Sequence, residues 1–282
     1  MTGRQPLRAR LMGLATVLGL ARRGVFVPHR HADQWPAPGT GASYAAIERR
    51  MREAEPAFRA HLAAIESFAG DLLALGQELP PAPRWQQDWF PRLDAAAAYA
   101  MLRTRAPKRL IEVGAGHSTR FYARAARDGG LAARIRAIDT APRADLSKLP
   151  IELDCRTLQA AGLDAFRELA AGDVLSIDSS HILMPGSDVD LLLNRVLPEL
   201  PAGALVQIHD ILLPDDYPAA WGWRGYNEQQ GVAPLIVSPG WELLWSSRWV
   251  ATRMASEMAA GVAGRLPLPT GGVETSLWIC KT

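Results

Sequence analysis

From Arg109 to the last residues, short apolar runs alternate with stretches whose apolar positions recur every three or four residues, the signature of strands interleaved with helices. Leu110, Ile111 and Val113 form the first run. Arg134 to Asp139, Ile151 to Asp154, Val174 to Asp178 and Ala204 to His209 follow as further strands. Leu163 to Leu169 and Val189 to Leu197 read as helices between them, and Arg248 to Val262 as a helix between two late apolar runs, Trp241 to Trp245 and Thr275 to Cys280. Strands that alternate with helices build a doubly wound, mostly parallel sheet, so the pattern predicts an α/β fold. Ahead of it, Tyr44, Ile47, Met51, Phe58, Leu62, Ile65 and Leu72 keep near 3.6-residue spacing over Ser43 to Leu79, interrupted at Pro56. An alanine-rich helix over Leu93 to Arg103 leads into the first strand. The expected organisation is an N-terminal helical extension over 1–91, carrying lid or docking functions, and a cofactor-binding domain over 92–282. No internal repeat or low-complexity tract is present.

The segment Arg109 to Arg120, RLIEVGAGHSTR, carries the chemistry. A buried strand places Glu112 near its carboxyl end, Gly114 and Gly116 permit a tight turn with close backbone approach to a ligand, and Ser118 or Thr119 can cap the following helix. A phosphate-cradling loop needs a lysine before Ser or Thr, and here His117 precedes Ser118. A dinucleotide fingerprint needs a third glycine where this chain has Thr119, which weakens a nicotinamide reading. The second strand ends at Asp139, roughly twenty residues after Gly116, where a carboxylate can accept both hydroxyls of an adenosine ribose.

These features resemble the class I S-adenosylmethionine-dependent methyltransferases, and among them the bacterial small-molecule type whose first loop reads G-x-G-x-S-T. The likeness runs from about Arg84 to Ile279 in the order of its segments. It implies a seven-stranded Rossmann-like sheet closed by an antiparallel pair. It also implies a cofactor-binding set of Glu112, Gly114, Gly116, His117, Ser118, Asp139 and Asp178, with S-adenosylmethionine as cofactor. The physical fit is direct. That cofactor has a ribose for Asp139 and no phosphate, so the missing lysine costs nothing, and its sulfonium charge is favoured by acids at strand ends. Its carboxylate can use N–H groups at a helix start.

Methyl transfer is a displacement at the sulfonium carbon, and a hydroxyl acceptor must also lose a proton. The strand ends Ile177-Asp178-Ser179-Ser180-His181 and Gln207-Ile208-His209-Asp210 supply candidates. His209 is the first choice of base, Asp210 its orienting or substrate-binding partner, and His181 the competing base. Each histidine has an ordinary reading as a structural hydrogen-bond partner. Some related enzymes hold a divalent metal at these strand ends. Asp178 and Asp210 match those places, but Ile211 stands where a further Asp or Asn is usual, so a divalent metal stays open as the less favoured alternative and no residue is assigned to it. His29 and His31 lack a nearby third ligand and read as loop residues. The expected activity is transfer to a hydroxyl of a natural-product, sugar or lipid-like acceptor. A NAD(P)-dependent oxidoreductase and a non-catalytic cofactor-binding or partner protein are the alternatives. Trp89 and Phe90 read first as docking residues and second as lining for the pocket mouth. The aromatic connection Leu212 to Gln230 reads as a lid.

Composition narrows the partners. The 282 residues are 48% hydrophobic and 21% charged, with 31 basic against 29 acidic side chains and a net charge of +2, too balanced to point to nucleic acid. Cys155 and Cys280 form neither a disulfide framework nor a metal motif, which suits a cytoplasmic protein. Arg4, Arg8 and Arg10 precede the apolar run Leu11 to Ala21, but Arg22 and Arg23 follow it where a cleavage site would stand, and the run is too short to span a bilayer. Leu7, Leu11, Leu14, Leu18 and Ala21 instead form a narrow helical stripe, expected to dock on this domain or on a partner chain, a second copy included. Weak membrane-surface contact through residues 7–21 is the second reading.

Overall fold

The computed structural model describes residues 7–37 and 39–282; Arg4, first of the arginines ahead of the apolar run, lies outside the described residues. Seven strands form one sheet in the order β3-β2-β1-β4-β5-β7-β6. They are β1 (Arg109–Val113), β2 (Arg134–Ile138), β3 (Glu152–Asp154), β4 (Val174–Ile177), β5 (Leu205–Ile208), β6 (Trp241–Ser246) and β7 (Leu277–Lys281). The first five run parallel, and β7 pairs antiparallel with both β5 and β6. Only β7 is therefore reversed in the sheet. The order reverses between β1 and β4, which neighbour each other centrally, and ligands of doubly wound sheets bind in the crevice outside such a switch point.

Twelve helices are described: α1 (Leu7–Val17), α2 (Ala45–Glu53), α3 (Glu55–Ser67), α4 (Ala69–Ala74), α5 (Arg92–Arg105), α6 (His117–Asp128), α7 (Leu158–Ala161), α8 (Asp188–Leu191), α9 (Glu228–Val237), α10 (Ser247–Arg253), α11 (Ala255–Ala260) and α12 (Val262–Arg265). The expected helix at Leu163 to Leu169 is a 3-10 turn over Asp164–Glu168. The expected helix at Val189 to Leu197 begins as α8, widens into a π turn over Leu192–Val196 and tightens over Leu197–Glu199, where Pro198 has no N–H to continue the ladder. Pro56 lies in the first turn of α3, where proline is tolerated, so the helical run breaks at Ala54. α9 was not anticipated, because Gly231 and Pro234 mask a helix that nevertheless buries Val232 and Ile236.

The described residues divide into two compact units, and the division falls at Ser43 and not at Pro91. The larger unit, Tyr44–Pro214 with Asn227–Thr282, contains the sheet and α2 to α12. Ile47, Met51, Phe58, Ile65 and Leu72 of α2 to α4 are buried in the same core as α5 and the strands. α5 places a buried face of Ala95 to Ala98 and Tyr99 there, small side chains that allow close packing.

The smaller unit joins residues up to Ser43 with Asp215–Tyr226. Within it the Gly39 N–H donates to Asp216 at 2.9 Å, Tyr217 stacks on Trp221, and the Arg224 guanidinium lies 4.1 Å from the Trp221 ring centroid. The aromatic side chains of the connection thus anchor one another. α1 buries none of its residues, and Leu7, Leu11, Leu14 and Leu18 are all exposed.

Candidate active site at the carboxyl ends of the central strands

The glycine turn is built on contacts that few sequences satisfy. Gly114 has φ +83°, its N–H donates to the Ile138 carbonyl, and a Cβ there would stand 1.8 Å from the Asp178 carbonyl oxygen. Only glycine fits. The turn therefore lies against the end of β4. Beyond it, the Ala115 N–H donates to Asp139 Oδ2 at 2.7 Å and the Ala141 N–H to Asp139 Oδ1 at 2.7 Å, so Asp139 joins the turn to the end of β2. Each carboxylate oxygen keeps a second acceptor position for a ligand hydroxyl.

Glu112 is buried directly beneath the turn. Its two oxygens accept from the Ser118 and Thr119 hydroxyls, both at 2.5 Å, and Thr119 Oγ1 in turn accepts from the Gly116 N–H at 2.9 Å. The residue that departs from a dinucleotide fingerprint is thus a structural tie, a bond no glycine could make. Burial pushes the Glu112 carboxyl up to about 8, against the lowering pull of the two hydroxyls. Glu112 acts on the shape of the loop. His117 opens α6, buried, with its imidazole lowered to about 4 by burial and by Arg120 and Arg84. It is neutral near pH 7 and its Nδ1 has no partner.

The strand ends carry the titratable groups. Asp178 Oδ1 lies 3.2 Å from His181 Nε2 and 3.5 Å from His209 Nδ1. Behind His181, Glu228 Oε2 meets Nδ1 at 2.8 Å; behind His209, Asp94 Oδ2 meets Nε2 at 3.2 Å. The result is a chain of alternating acids and imidazoles, Glu228, His181, Asp178, His209 and Asp94. Asp210 lies beside both rings, 3.5 Å from His181 Nε2 and 3.7 Å from His209 Nδ1. His181 and Asp210 both have positive φ, +60° and +54°, backbone strain of the kind that gathers at functional sites. All but one of the set are buried; the Asp178 side chain is 34% exposed.

Burial alone would lower both imidazoles, but the carboxylates outweigh it and hold each well above the ordinary histidine value. Asp178 is affected in the opposite sense. Burial raises it, and His209 and His181 together bring it below the usual carboxylate range. Burial also raises Glu228. Carboxylates outnumber imidazoles in the set, which favours a cation beside it.

Two members lay outside the sequence expectations. Asp94, in the first turn of α5, accepts from the Thr275 and Ser276 N–H groups ahead of β7 as well as facing His209. Glu228 opens α9, next to Asn227, whose side chain accepts from the Leu183 N–H, and Gln229, whose side chain accepts from the Leu212 N–H. The start of α9 thereby ties the loops that follow β4 and β5. An acid isolated in an alanine-rich helix was the available signal for Asp94; Glu228 stood in a segment read as a loop. At the turn itself, Trp89 is half exposed and the Arg143 guanidinium lies 3.9 Å from its ring centroid, while Phe90 is buried 5.5 Å from the His209 ring. Phe90 is thus packed as a docking residue, while Trp89 stays at the surface.

The fit to S-adenosylmethionine rests on the turn and on unmatched polar atoms. His117 Nδ1, Ser179 Oγ, His209 Nδ1 and Glu228 Oε1 are buried without partners, and all lie on segments at the carboxyl ends of β1, β4 and β5 or at the start of α9. A polar ligand suits such a place. Asp178 and Asp210 do come together, but His181, held protonated, turns its Nε2 toward both of them. Among the described residues no group of three or more His, Cys, Asp or Glu is arranged to hold a metal ion.

A family model described as a methyltransferase domain matches residues 111–211, from β1 through the end of β5. No curated protein matched the chain. Solved structures similar to it include the S-adenosylhomocysteine-bound methyltransferase PaMTH1 of Podospora anserina, 16% identical over 92% of this chain and 99% of that one, TM-score 0.42. The O-methyltransferase TomG of Streptomyces achromogenes, involved in tomaymycin synthesis, is 15% identical over 86% and 92%, TM-score 0.40. An O-methyltransferase of Bacillus cereus is 12% identical over 86% and 93%, TM-score 0.38.

Proposed function

We propose that this chain, which matches a methyltransferase-domain model across residues 111–211, moves a methyl group from S-adenosylmethionine to a hydroxyl of a small molecule. The observation that carries the proposal is the Gly114 turn, pressed on the Asp178 carbonyl at the switch point with Asp139 tied to its next N–H. Asp139 holds the ribose hydroxyls. Gly114, Gly116 and Ser118 shape the loop around the methionine end, with Glu112 beneath them, and His117 contributes a neutral imidazole on the cofactor side. The side chains assigned to cofactor and acceptor all fall within residues 92–282.

The bound cofactor supplies an electrophilic methyl carbon; the chain supplies alignment and a route for the proton. Asp178, the exposed member of the acid and imidazole set, meets the acceptor hydroxyl and attracts the sulfonium charge. The proton passes to His209 Nδ1, 3.5 Å from Asp178 and without a hydrogen-bond partner of its own. Asp94 retains the Nε2 proton of His209 and so keeps Nδ1 as the accepting nitrogen. His181, engaged at both nitrogens, and Asp210 orient Asp178. The nicotinamide reading has no support at Thr119, whose hydroxyl serves the loop.

Incubation with S-adenosylmethionine labelled with tritium in the methyl group, across a panel of phenolic, sugar and lipid hydroxyl acceptors, tests the proposal. Label appearing as a base-stable methyl ether supports it. A change in NADH absorbance with no label transferred contradicts it.

A further inference from the structure

Ten of the eighteen exposed large apolar side chains among the described residues fall between Leu7 and Trp35. Leu11, Leu14 and Leu18 are 58%, 55% and 61% exposed, and Leu20, Val25, Phe26 and Val27 extend the apolar surface beyond α1. As far as Ala32 the charge on this segment has one sign. Arg8, Arg10, Arg22, Arg23 and Arg30 are exposed, and neither Asp nor Glu occurs before Asp33. On the helix, Leu7, Leu11 and Leu14 share one face, with Leu18 just past its end, while Arg8 and Arg10 fall on opposite sides of that face.

We propose that α1 and the segment following it, to Trp35, lie on an anionic lipid surface. The geometry is that of an in-plane helix. At eleven residues α1 is about 16 Å long, roughly half the hydrocarbon thickness of a bilayer, and no helix of the described residues is long and apolar enough to cross one. The leucine face enters the headgroup boundary. Arg8 and Arg10 reach sideways to headgroup phosphates while their stems cover the edge of the apolar stripe, and Arg22 and Arg23 add attraction at the far end. Charge of a single sign is what selects a lipid surface over a protein partner here, since a polyanionic plane meets all five arginines at once. The proposal is independent of the methyl-transfer chemistry.

Co-sedimentation of the full chain with vesicles of phosphatidylglycerol and phosphatidylcholine, against vesicles of phosphatidylcholine alone, tests it. Partitioning to the anionic vesicles should exceed that to the neutral ones by at least tenfold and fall as salt is raised. Replacing both Arg8 and Arg10 by Gln should weaken it by about 25-fold, at about fivefold per arginine. The pair Leu11→Glu and Leu14→Glu should abolish it. Circular dichroism and thermal unfolding of the same variants show that the larger unit remains folded. No partitioning, or equal partitioning to both vesicles, overturns the proposal. So does a dimer in light scattering that the leucine variants dissolve while vesicle binding is absent.

Discussion

At the scale of single residues, the protonation states set the predictions. Glu112 is raised to about 8 by burial, so it is largely neutral at pH 7 and its two hydroxyl partners are its main duty. Glu112→Gln should therefore keep stability within about 1 kcal/mol, whereas Glu112→Ala should cost about 3 kcal/mol through a cavity and two stranded hydroxyls. Urea unfolding at pH 7 measures both. His209 leads to a second expectation. Its imidazole is held well above the ordinary histidine value, so its neutral form appears only on the alkaline side, and kcat should rise with pH through a limb displaced above ~6.5. The stability linked to this group has the opposite trend: it is complete below the unfolded value near ~6.5 and is lost as pH rises through the raised folded value. Asp94→Asn should move the kinetic limb toward lower pH, because one of the carboxylates that raises His209 is gone. An unmoved limb, with only stability reduced, would leave Asp94 a purely structural residue.

At the scale of elements, the end of β1 and the starts of α5 and α9 do most of the positioning. Gly114→Ala should remove cofactor binding and cost at least ~2 kcal/mol, since the methyl group meets the Asp178 carbonyl and φ is +83°. Differential scanning fluorimetry with and without S-adenosylhomocysteine reads both effects. The strands were legible in the sequence because buried parallel strands are continuous apolar runs, and their ends located Gly114, Asp139, Asp178, His181, His209 and Asp210. The second layer of the site was not. Glu228 belongs to a helix whose glycine and proline hide its period, and Asp94 lies in a segment distant in sequence that only packing brings to His209. The fate of the N-terminal stripe was equally hidden, because a heptad-like pattern does not say what covers it. The structure leaves it exposed.

At the scale of the whole molecule, a larger unit holds the sheet and the candidate site, and a smaller unit carries an exposed, arginine-flanked helix. Turnover should be unchanged by a chelator, because His181, held protonated, turns its Nε2 toward both Asp178 and Asp210. Loss of activity in EDTA, restored by magnesium, would replace His209 as the base. The central claim is that the turn over Asp178 and Asp139 binds S-adenosylmethionine. Titration calorimetry of the full chain with S-adenosylmethionine tests it most directly. Saturable one-to-one binding, weakened at least tenfold by Asp139→Ala, is the expected result; a flat titration at millimolar cofactor would contradict it.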